Sequence, residues 1–213
     1  MAGWLSSAWA HPHVWVDAEA TLLFDGEGSI TAIRHVWTFD VAYSSWLMLG
    51  LDTDGDGVYT REETAELAEI NVTSLKDFHF FTSIAGAQNT DILGDVYSEE
   101  FATPVNYHVD YDGVQTTLHF TLPLQQPVTA EGHDMIVVDI YDPEYFVAFS
   151  LVEEQPIKMA GAPDSCAIEV DEPPELDQSY ASILSLIPAD GVVPPDLLAI
   201  TTELANRARV RCA

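Results

Sequence analysis

The chain has 213 residues, of which 47% are hydrophobic and five are tryptophan, so it can build a sizeable folded core and is not expected to be disordered. Seven basic residues against 35 acidic ones give a net charge of −28, which repels nucleic-acid phosphates and anionic lipid head groups and attracts cations. The sequence has no apolar run of the length that spans a bilayer, so a nucleic-acid-binding protein and a membrane-spanning protein are both disfavoured.

The first ten residues resemble the end of a secretory signal peptide. Ala8 and Ala10 fit the small-residue rule for cleavage, although the stretch is short and lacks a basic start. We therefore interpret residues 1–10 as a signal-peptide remnant and residues 11–213 as a single periplasmic domain. Cleavage after Ala10 would make His11 the first residue of the mature chain.

A β-hairpin is predicted directly after this remnant. Apolar and polar residues alternate over 13–24, residues 25–28 have turn composition, and a second strand covers about 30–39. The apolar faces of the two strands coincide in either of two registers, one with a four-residue turn and one with a two-residue turn. Both registers place His35 on the apolar face, where we expect a core histidine.

A transition-metal site is predicted at the open end of this hairpin. His11 and His13 are two residues apart on a strand, so their imidazoles project from one face and can converge on one ion. The four-residue turn sets Asp40 opposite His13 and the two-residue turn sets it opposite His11, which makes Asp40 a third candidate ligand. The His11 α-amine is an optional ligand, as in copper-binding histidine braces, although Pro12 removes the amide proton that a terminal copper chelate loses. The alternative is a pair of ordinary surface histidines near a chain end.

Residues 52–63 have the spacing of a calcium-binding loop. Carboxylates at the first, third, fifth and twelfth positions, a glycine at the sixth and a backbone carbonyl at the seventh supply the oxygens that Ca²⁺ requires. Short helices are predicted on both sides, over 41–51 and up to Leu75. An acidic turn with a capping box is the alternative, because Thr60 and Glu63 also fit that pattern. The predicted calcium ligands are Asp52, Asp54, Asp56, Val58, Thr60 and Glu63.

The middle of the chain contains a second predicted hairpin with two histidines. A turn at Asp112-Gly113 would place His119 opposite Asn106 and diagonal to His108. This arrangement makes the two histidines a weaker candidate for a second metal site, and two ordinary histidines are the favoured interpretation. The strands predicted in this part of the chain are 78–84, 91–98, 105–111 and 114–122.

The C-terminal part mixes strands and helices. Residues 135–141 and 145–152 are predicted to pair around the turn at Asp142-Pro143, and a short strand follows at 167–170. Helices are predicted near 177–187 and 195–210. The whole pattern indicates an α+β fold, a β-rich sandwich-like domain with an EF-hand-like helix-loop-helix insertion and C-terminal helices.

Cys166 and Cys212 are the two cysteines of the chain. Two free thiols would be expected in the cytosol, whereas the signal remnant favours a disulfide in an oxidising compartment. Such a bridge would stabilise the fold by about 3–4 kcal/mol in a chain-entropy treatment.

Four stretches of the sequence resemble a family of periplasmic proteins that is labelled as an uncharacterised ABC-type substrate-binding component. Members are often encoded beside nickel/cobalt-type membrane transporters, and one branch resembles the periplasmic partner of a zinc uptake pair. By this resemblance His11, His13, Asp40 and Asp142 match family positions, and the calcium-like loop is a common feature. The stretches are HPHVWVDAEATLLFDGEGSITAIRHVWTFD, LDTDGDGVYTREE, YDPEYFVAFSL and the spaced cysteines.

These observations predict a periplasmic metal-binding protein that buffers or delivers a transition metal to an inner-membrane transporter. Zinc is the favoured metal, with nickel, cobalt or copper as alternatives, and Ca²⁺ is expected as a structural ion. A non-catalytic interaction domain stabilised by Ca²⁺ is the second interpretation, and a copper oxidoreductase is the third. No catalytic triad, phosphate loop or CxxC pattern is present in the sequence, so no enzyme activity is predicted.

Overall fold

A computed structural model describes residues 12–87, 101–129, 135–171, 173–187, 191 and 193–212. These residues form a strand-rich mixture of two β-sheets and four α-helices, with a 3₁₀ segment at Leu75–Phe81. The strands are β1 (Val14–Phe24), β2 (Ser29–Phe39), β3 (Thr82–Ala87), β4 (Val105–Tyr111), β5 (Thr116–Thr129), β6 (Met135–Ile140), β7 (Val147–Leu151), β8 (Ile157–Ala160), β9 (Cys166–Val170) and β10 (Asn206–Cys212). The helices are α1 (Val41–Leu47), α2 (Ala65–Ser74), α3 (Gln178–Leu184) and α4 (Pro195–Glu203).

The first sheet has the order β4-β5-β2-β1-β7, and β8 also pairs with β1. The predicted β1–β2 hairpin and its alternating burial are confirmed, but neither predicted register is correct. Val16 pairs with Phe39, because the turn is one residue longer than predicted, with Phe24 opposite Ile30, and a bulge between Leu23 and Phe24 shifts the ladder by one residue more. The shift keeps the apolar faces together and places Asp40 opposite Trp15, whose backbone exchanges hydrogen bonds with it.

The second sheet has the order β3-β6-β10-β9 and differs from the sequence prediction in three places. Residues 78–81 belong to the 3₁₀ segment, so β3 starts only at Thr82. β6 and β7 do not pair with each other, because β7 lies parallel to β1 in the first sheet. The predicted helix over 195–210 ends at Glu203, and the rest of that stretch forms β10. The predicted strand at 91–98 lies outside the described residues.

The arginines of β10 explain why this segment is a strand. Ala208 and Val210 are fully buried, and Arg207, Arg209 and Arg211 alternate with them. Each guanidinium of β10 has a carboxylate partner on a neighbouring segment. Arg207 donates two hydrogen bonds of 2.7 Å to Asp139 of β6, and the other two arginines pair with Asp171 and Glu169. Charged residues at every second position are a strand pattern. The sequence prediction missed this pattern because it extended the helix that begins in the apolar stretch of α4 into β10.

One hydrophobic core joins the two sheets. Side chains of β1 and β2, such as Leu22 and Trp37, pack in the same cluster as Ile84, Ile140 and Val210 of the second sheet. The disulfide between Cys166 and Cys212 is confirmed and closes the β9–β10 pair at directly opposed positions. No helix in the described part of the chain is long and apolar enough to cross a membrane.

Candidate metal centre

His108, Asp110 and His119 form a compact cluster on the outer strands of the first sheet. His108 of β4 is directly opposite His119 of β5, and Asp110 follows His108 by two residues on the same face. The Nε2 atoms of both histidines lie 3.3 Å from the same Oδ2 atom of Asp110. The two imidazole rings stack with centroids 4.4 Å apart and 6° between their planes.

The cluster is half-buried and has a cation beside it. About a quarter of each imidazole side chain and half of the Asp110 side chain are exposed. Burial lowers the pKa of His119, and the neighbouring His108 lowers it further, while Asp110 opposes both effects. Arg61 approaches the other carboxylate oxygen, Oδ1 of Asp110, at 3.5 Å. The lowered pKa of His119 favours the neutral imidazole, which is the form that binds a metal.

This arrangement matches the ligand set of an open transition-metal site. Two imidazole nitrogens and one carboxylate oxygen are the ligands of many three-residue zinc sites, in which a fourth position is open to water or another ligand. The three ligand atoms lie within 4.8 Å of one another, so small side-chain movements can bring them to one ion. The partial exposure of the cluster would let an ion enter and leave.

The sequence placed these histidines two residues out of register. The predicted two-residue turn set His119 opposite Asn106, whereas Asp112 accepts hydrogen bonds from the backbone of Val114 and Gln115 and closes a longer turn. The longer turn pairs Tyr111 with Thr116 and therefore sets His119 opposite His108. The alternation of His108 and Asp110 along one strand was the signal that could have identified the site.

The structure describes only part of the metal site predicted at the start of β1. His11 lies outside the described residues. The backbone N–H of His13 donates to the carbonyl of Phe146 at 2.8 Å, and its ring packs 4.7 Å from the Phe146 ring. Among the described residues, His13, Asp40 and Asp142 belong to neither of the two groups in which three or more ligand atoms lie within 4.8 Å.

Asp40 serves as the N-cap of α1. Its Oδ1 atom accepts hydrogen bonds from the backbone N–H groups of Ala42 and Tyr43 at 2.9 and 3.0 Å. Its Oδ2 atom accepts from the N–H of Trp15 at 3.1 Å. The carboxylate therefore joins the helix to β1, which is a structural role of the kind expected for an aspartate at an N-cap.

Asp142 organises the turn that leads into β7. Its carboxylate accepts hydrogen bonds of 2.9 Å from the backbone N–H groups of Glu144, Phe146 and Val147. Burial raises the pKa of Asp142, and these three donors partly oppose the rise because they stabilise the charged form. Asp142 and His13 both contact Phe146, so the structure places them near one another without bringing them to a common ligand position.

The predicted calcium loop brings three of its carboxylates together. Oxygen atoms of Asp52, Asp54 and Glu63 lie within 4.8 Å of one another. Glu63 accepts four hydrogen bonds from the backbone and side chains of Thr53 and Thr60, which lower its pKa to about 2. The carboxylate of Asp56 accepts instead from the Val58 N–H at 2.7 Å, and that of Asp52 accepts from Gly55 and Gly57.

The sequence matches a family described as "Protein of unknown function (DUF1007)" over residues 1–212. The chain belongs to this family. A DUF1007-like relative is a protein of Haemophilus influenzae described as uncharacterized, which is 28% identical over 177 residues. That match covers 82% of this chain and 80% of the relative.

This DUF1007 chain has two residue groups that could hold metal ions of different chemical hardness. The imidazoles of His108 and His119 suit borderline ions such as zinc, nickel and copper. The all-carboxylate group at Asp52, Asp54 and Glu63 suits Ca²⁺ or Mg²⁺. The two groups are close in the fold, since Arg61 of the acidic loop reaches Asp110 of the histidine cluster.

Proposed function

We propose that the chain is a periplasmic, non-catalytic metal-binding protein that buffers a transition metal or delivers it to an inner-membrane transporter. The observation that carries this proposal is the convergence of the His108 and His119 Nε2 atoms on one carboxylate oxygen of Asp110. Zinc is the favoured metal because it accepts this ligand set in tetrahedral geometry, and nickel, cobalt and copper are the alternatives.

A buffering or delivery role requires an ion that exchanges. A closed structural zinc site has four protein ligands, whereas this cluster offers three and is partly exposed. The net charge of −28 favours the approach of cations to the surface. The disulfide between Cys166 and Cys212 supports an oxidising compartment, as the Ala8-x-Ala10 pattern does.

The N-terminal pair His11 and His13 forms a second part of the proposal. In a mature chain that begins at His11, the two imidazoles and the α-amine would form a binding point separate from the histidine cluster. Asp40 and Asp142 are proposed to support this end of the fold through the backbone hydrogen bonds they accept, and no longer as required ligands. Two binding points would let one ion be held while another is transferred.

Titration with zinc in the presence of a competing chelator tests the proposal. The wild-type chain should bind zinc, and His108→Ala or His119→Ala should weaken binding by at least about 10- to 100-fold, because the loss of an outer-shell partner of a ligand already has an effect of that size. His79→Ala removes an exposed histidine outside the cluster and serves as the control. His13→Ala, made in a chain that begins at His11, reports separately on the N-terminal site. Unchanged zinc affinity in the His108→Ala/His119→Ala variant would rule out the cluster.

A second function is favoured by the acidic loop. The grouping of Asp52, Asp54 and Glu63 supports an interaction domain stabilised by Ca²⁺, in which the histidines have no metal-handling role. In that case Ca²⁺ would raise the melting temperature, while zinc would have no effect that depends on His108 and His119. The same set of variants therefore distinguishes the two functions.

A further inference from the structure

A large aromatic cavity opens on the face of the first sheet, where β1, β2 and β7 meet α2 and the 3₁₀ segment. Its volume is about 370 Å³, and seven of its sixteen lining residues are aromatic. Cavities of this size with mostly apolar walls and few polar groups are typical of small-molecule sites. None of the histidine-cluster or acidic-loop ligands lines it, so it is separate from both ligand groups.

The walls combine aromatic rings with negative charge. Trp37, Phe81 and Phe149 form one connected group of rings, with centroids 5.0 to 6.4 Å apart. The charged residues that line the cavity within the described part of the chain are Asp142 and Glu144, both acidic. Aromatic faces carry negative potential and attract cations, and tryptophan does so most strongly.

The edge of the cavity has an unusual backbone. His79, Phe80 and Phe81 are consecutive non-glycine residues with φ angles of 50°, 56° and 48°, in the left-handed region that such residues rarely adopt. Phe81 lines the cavity from this stretch, and so does the half-exposed Phe78 before it. Strained backbone of this kind clusters at ligand-binding sites, where the surrounding fold holds it in place.

We propose that this cavity binds a small organic cation, an alkylated ammonium group with an apolar body. The carboxylates of Asp142 and Glu144 provide charge complementarity, and the rings of Trp37, Phe78 and Phe81 provide the cation–π surface. The site is independent of the metal-binding function.

A matched pair of probes tests this assignment. Choline and 3,3-dimethyl-1-butanol have nearly the same shape and a hydroxyl group, but only choline is charged. Calorimetry or tryptophan fluorescence on the full chain, with EDTA present to remove metal ions, should show choline binding at least tenfold more tightly than the alcohol. Equal binding of the two probes would overturn the charge argument, and failure of choline to saturate the protein at high millimolar concentration would overturn the site.

Two variants locate the binding within the cavity. Glu144→Gln removes an exposed lining carboxylate, and Phe78→Leu removes a half-exposed ring, so neither should unfold the core. Each variant should weaken choline binding several-fold. Glu144→Gln should affect binding of the uncharged alcohol much less than binding of choline. Glu153→Gln, which removes an exposed carboxylate outside the cavity lining, is the control. Choline affinity unchanged in both lining variants would place the cation elsewhere and overturn the proposal.

Discussion

His108 and His119 occupy directly opposed positions on β4 and β5, and their imidazole rings stack in parallel at 4.4 Å. Two neutral imidazoles can stack in this way, whereas two protonated ones would repel each other at this distance. Both Nε2 atoms point to the same oxygen of Asp110. An ion could be bound between these three atoms after small side-chain movements.

Arg61 should weaken metal binding at this cluster. Its guanidinium lies 3.5 Å from Asp110 and would repel a divalent ion bound there. Exposed charge pairs are worth about 0.2–1 kcal/mol, so Arg61→Gln should tighten zinc binding by up to about fivefold. The difference should shrink in 1 M salt, where the screening length is about 3 Å.

The matched control for this prediction is Arg211→Gln. Arg211 is half-exposed and pairs with Glu169 at 3.2 Å on the second sheet. Like Arg61, it forms an exposed ion pair with a carboxylate, but this pair is not part of the histidine cluster. Removal of the Arg211 charge should therefore leave zinc affinity unchanged. An equal gain in both variants would indicate a general charge effect and contradict a local role for Arg61.

Calcium should stabilise the loop at 52–63 through Glu63. Ca²⁺ at about 100 times its dissociation constant would add about 2.7 kcal/mol to the free energy of unfolding. Glu63→Gln should abolish the rise in melting temperature that Ca²⁺ produces, because position 12 supplies the bidentate carboxylate of such loops. Glu62→Gln, at an exposed neighbouring position, should retain the rise. A melting temperature of the wild-type chain that does not respond to Ca²⁺ would show that the loop is only an acidic turn.

The core histidine His35 should make the fold sensitive to acid. Complete burial lowers the pKa of His35 from 6.5 to about 3. Below pH 6.5 the unfolded chain takes up a proton that the folded chain does not, so the stabilising contribution is complete above pH 6.5 and is lost as the pH falls toward 3. The slope approaches 1.36 kcal/mol per pH unit.

Denaturant unfolding of wild-type and His35→Gln proteins between pH 7 and 5 measures this effect. Other titrating groups are common to both proteins, so the difference between the two slopes isolates His35. The wild-type chain should lose about 2 kcal/mol more than the variant over this range. His79→Gln, which changes an exposed histidine, should follow the wild-type slope. Parallel slopes for wild type and His35→Gln would contradict the burial of a neutral imidazole.

The sequence predicted much of this fold because its strongest signals are local. The alternation of residues 13–24 and the turn at 25–28 specified the first hairpin and its buried face, and His35 was correctly assigned to the core. The register was wrong because the turn is one residue longer than predicted and because a bulge between Leu23 and Phe24 is decided by packing against neighbouring strands. Together these two changes moved Asp40 from the histidines to Trp15.

The candidate site was harder to predict than the fold for the same reason. A metal cluster depends on which residues are opposite each other, and the turn at 112–115 brought His119 to His108 rather than to Asn106. Sequence spacing specified the acidic loop better, because its ligands are contiguous along the chain. Residues that converge from separate strands require the tertiary register, which local patterns do not encode.

Asp40 should behave as a helix cap and not as a metal ligand. Asp40→Ala removes the acceptor for Ala42, Tyr43 and Trp15, and should lower the free energy of unfolding by about 1–2 kcal/mol. Asp40→Asn keeps one oxygen acceptor and should have a smaller effect. Zinc affinity, measured on folded protein, should be the same in both variants as in wild type. A loss of zinc binding in Asp40→Asn without a loss of stability would restore Asp40 as a ligand.

The Cys166–Cys212 bridge should be a main source of stability for the second sheet, because β9 is an edge strand that pairs only with β10 among the described strands. The cysteines are 46 residues apart, so the bridge should add about 4 kcal/mol by restricting the unfolded chain. Urea unfolding of a Cys166→Ser/Cys212→Ser variant should show a loss of this size. Wild-type protein treated with a reductant should give the same curve, and adding the reductant to the variant should change nothing. Since the histidine cluster lies on the other sheet, the folded variant should still bind zinc. A decrease in the free energy of unfolding of less than about 1 kcal/mol would contradict the prediction, and would mean that the arginine–carboxylate pairs hold β9 to β10 without the bridge.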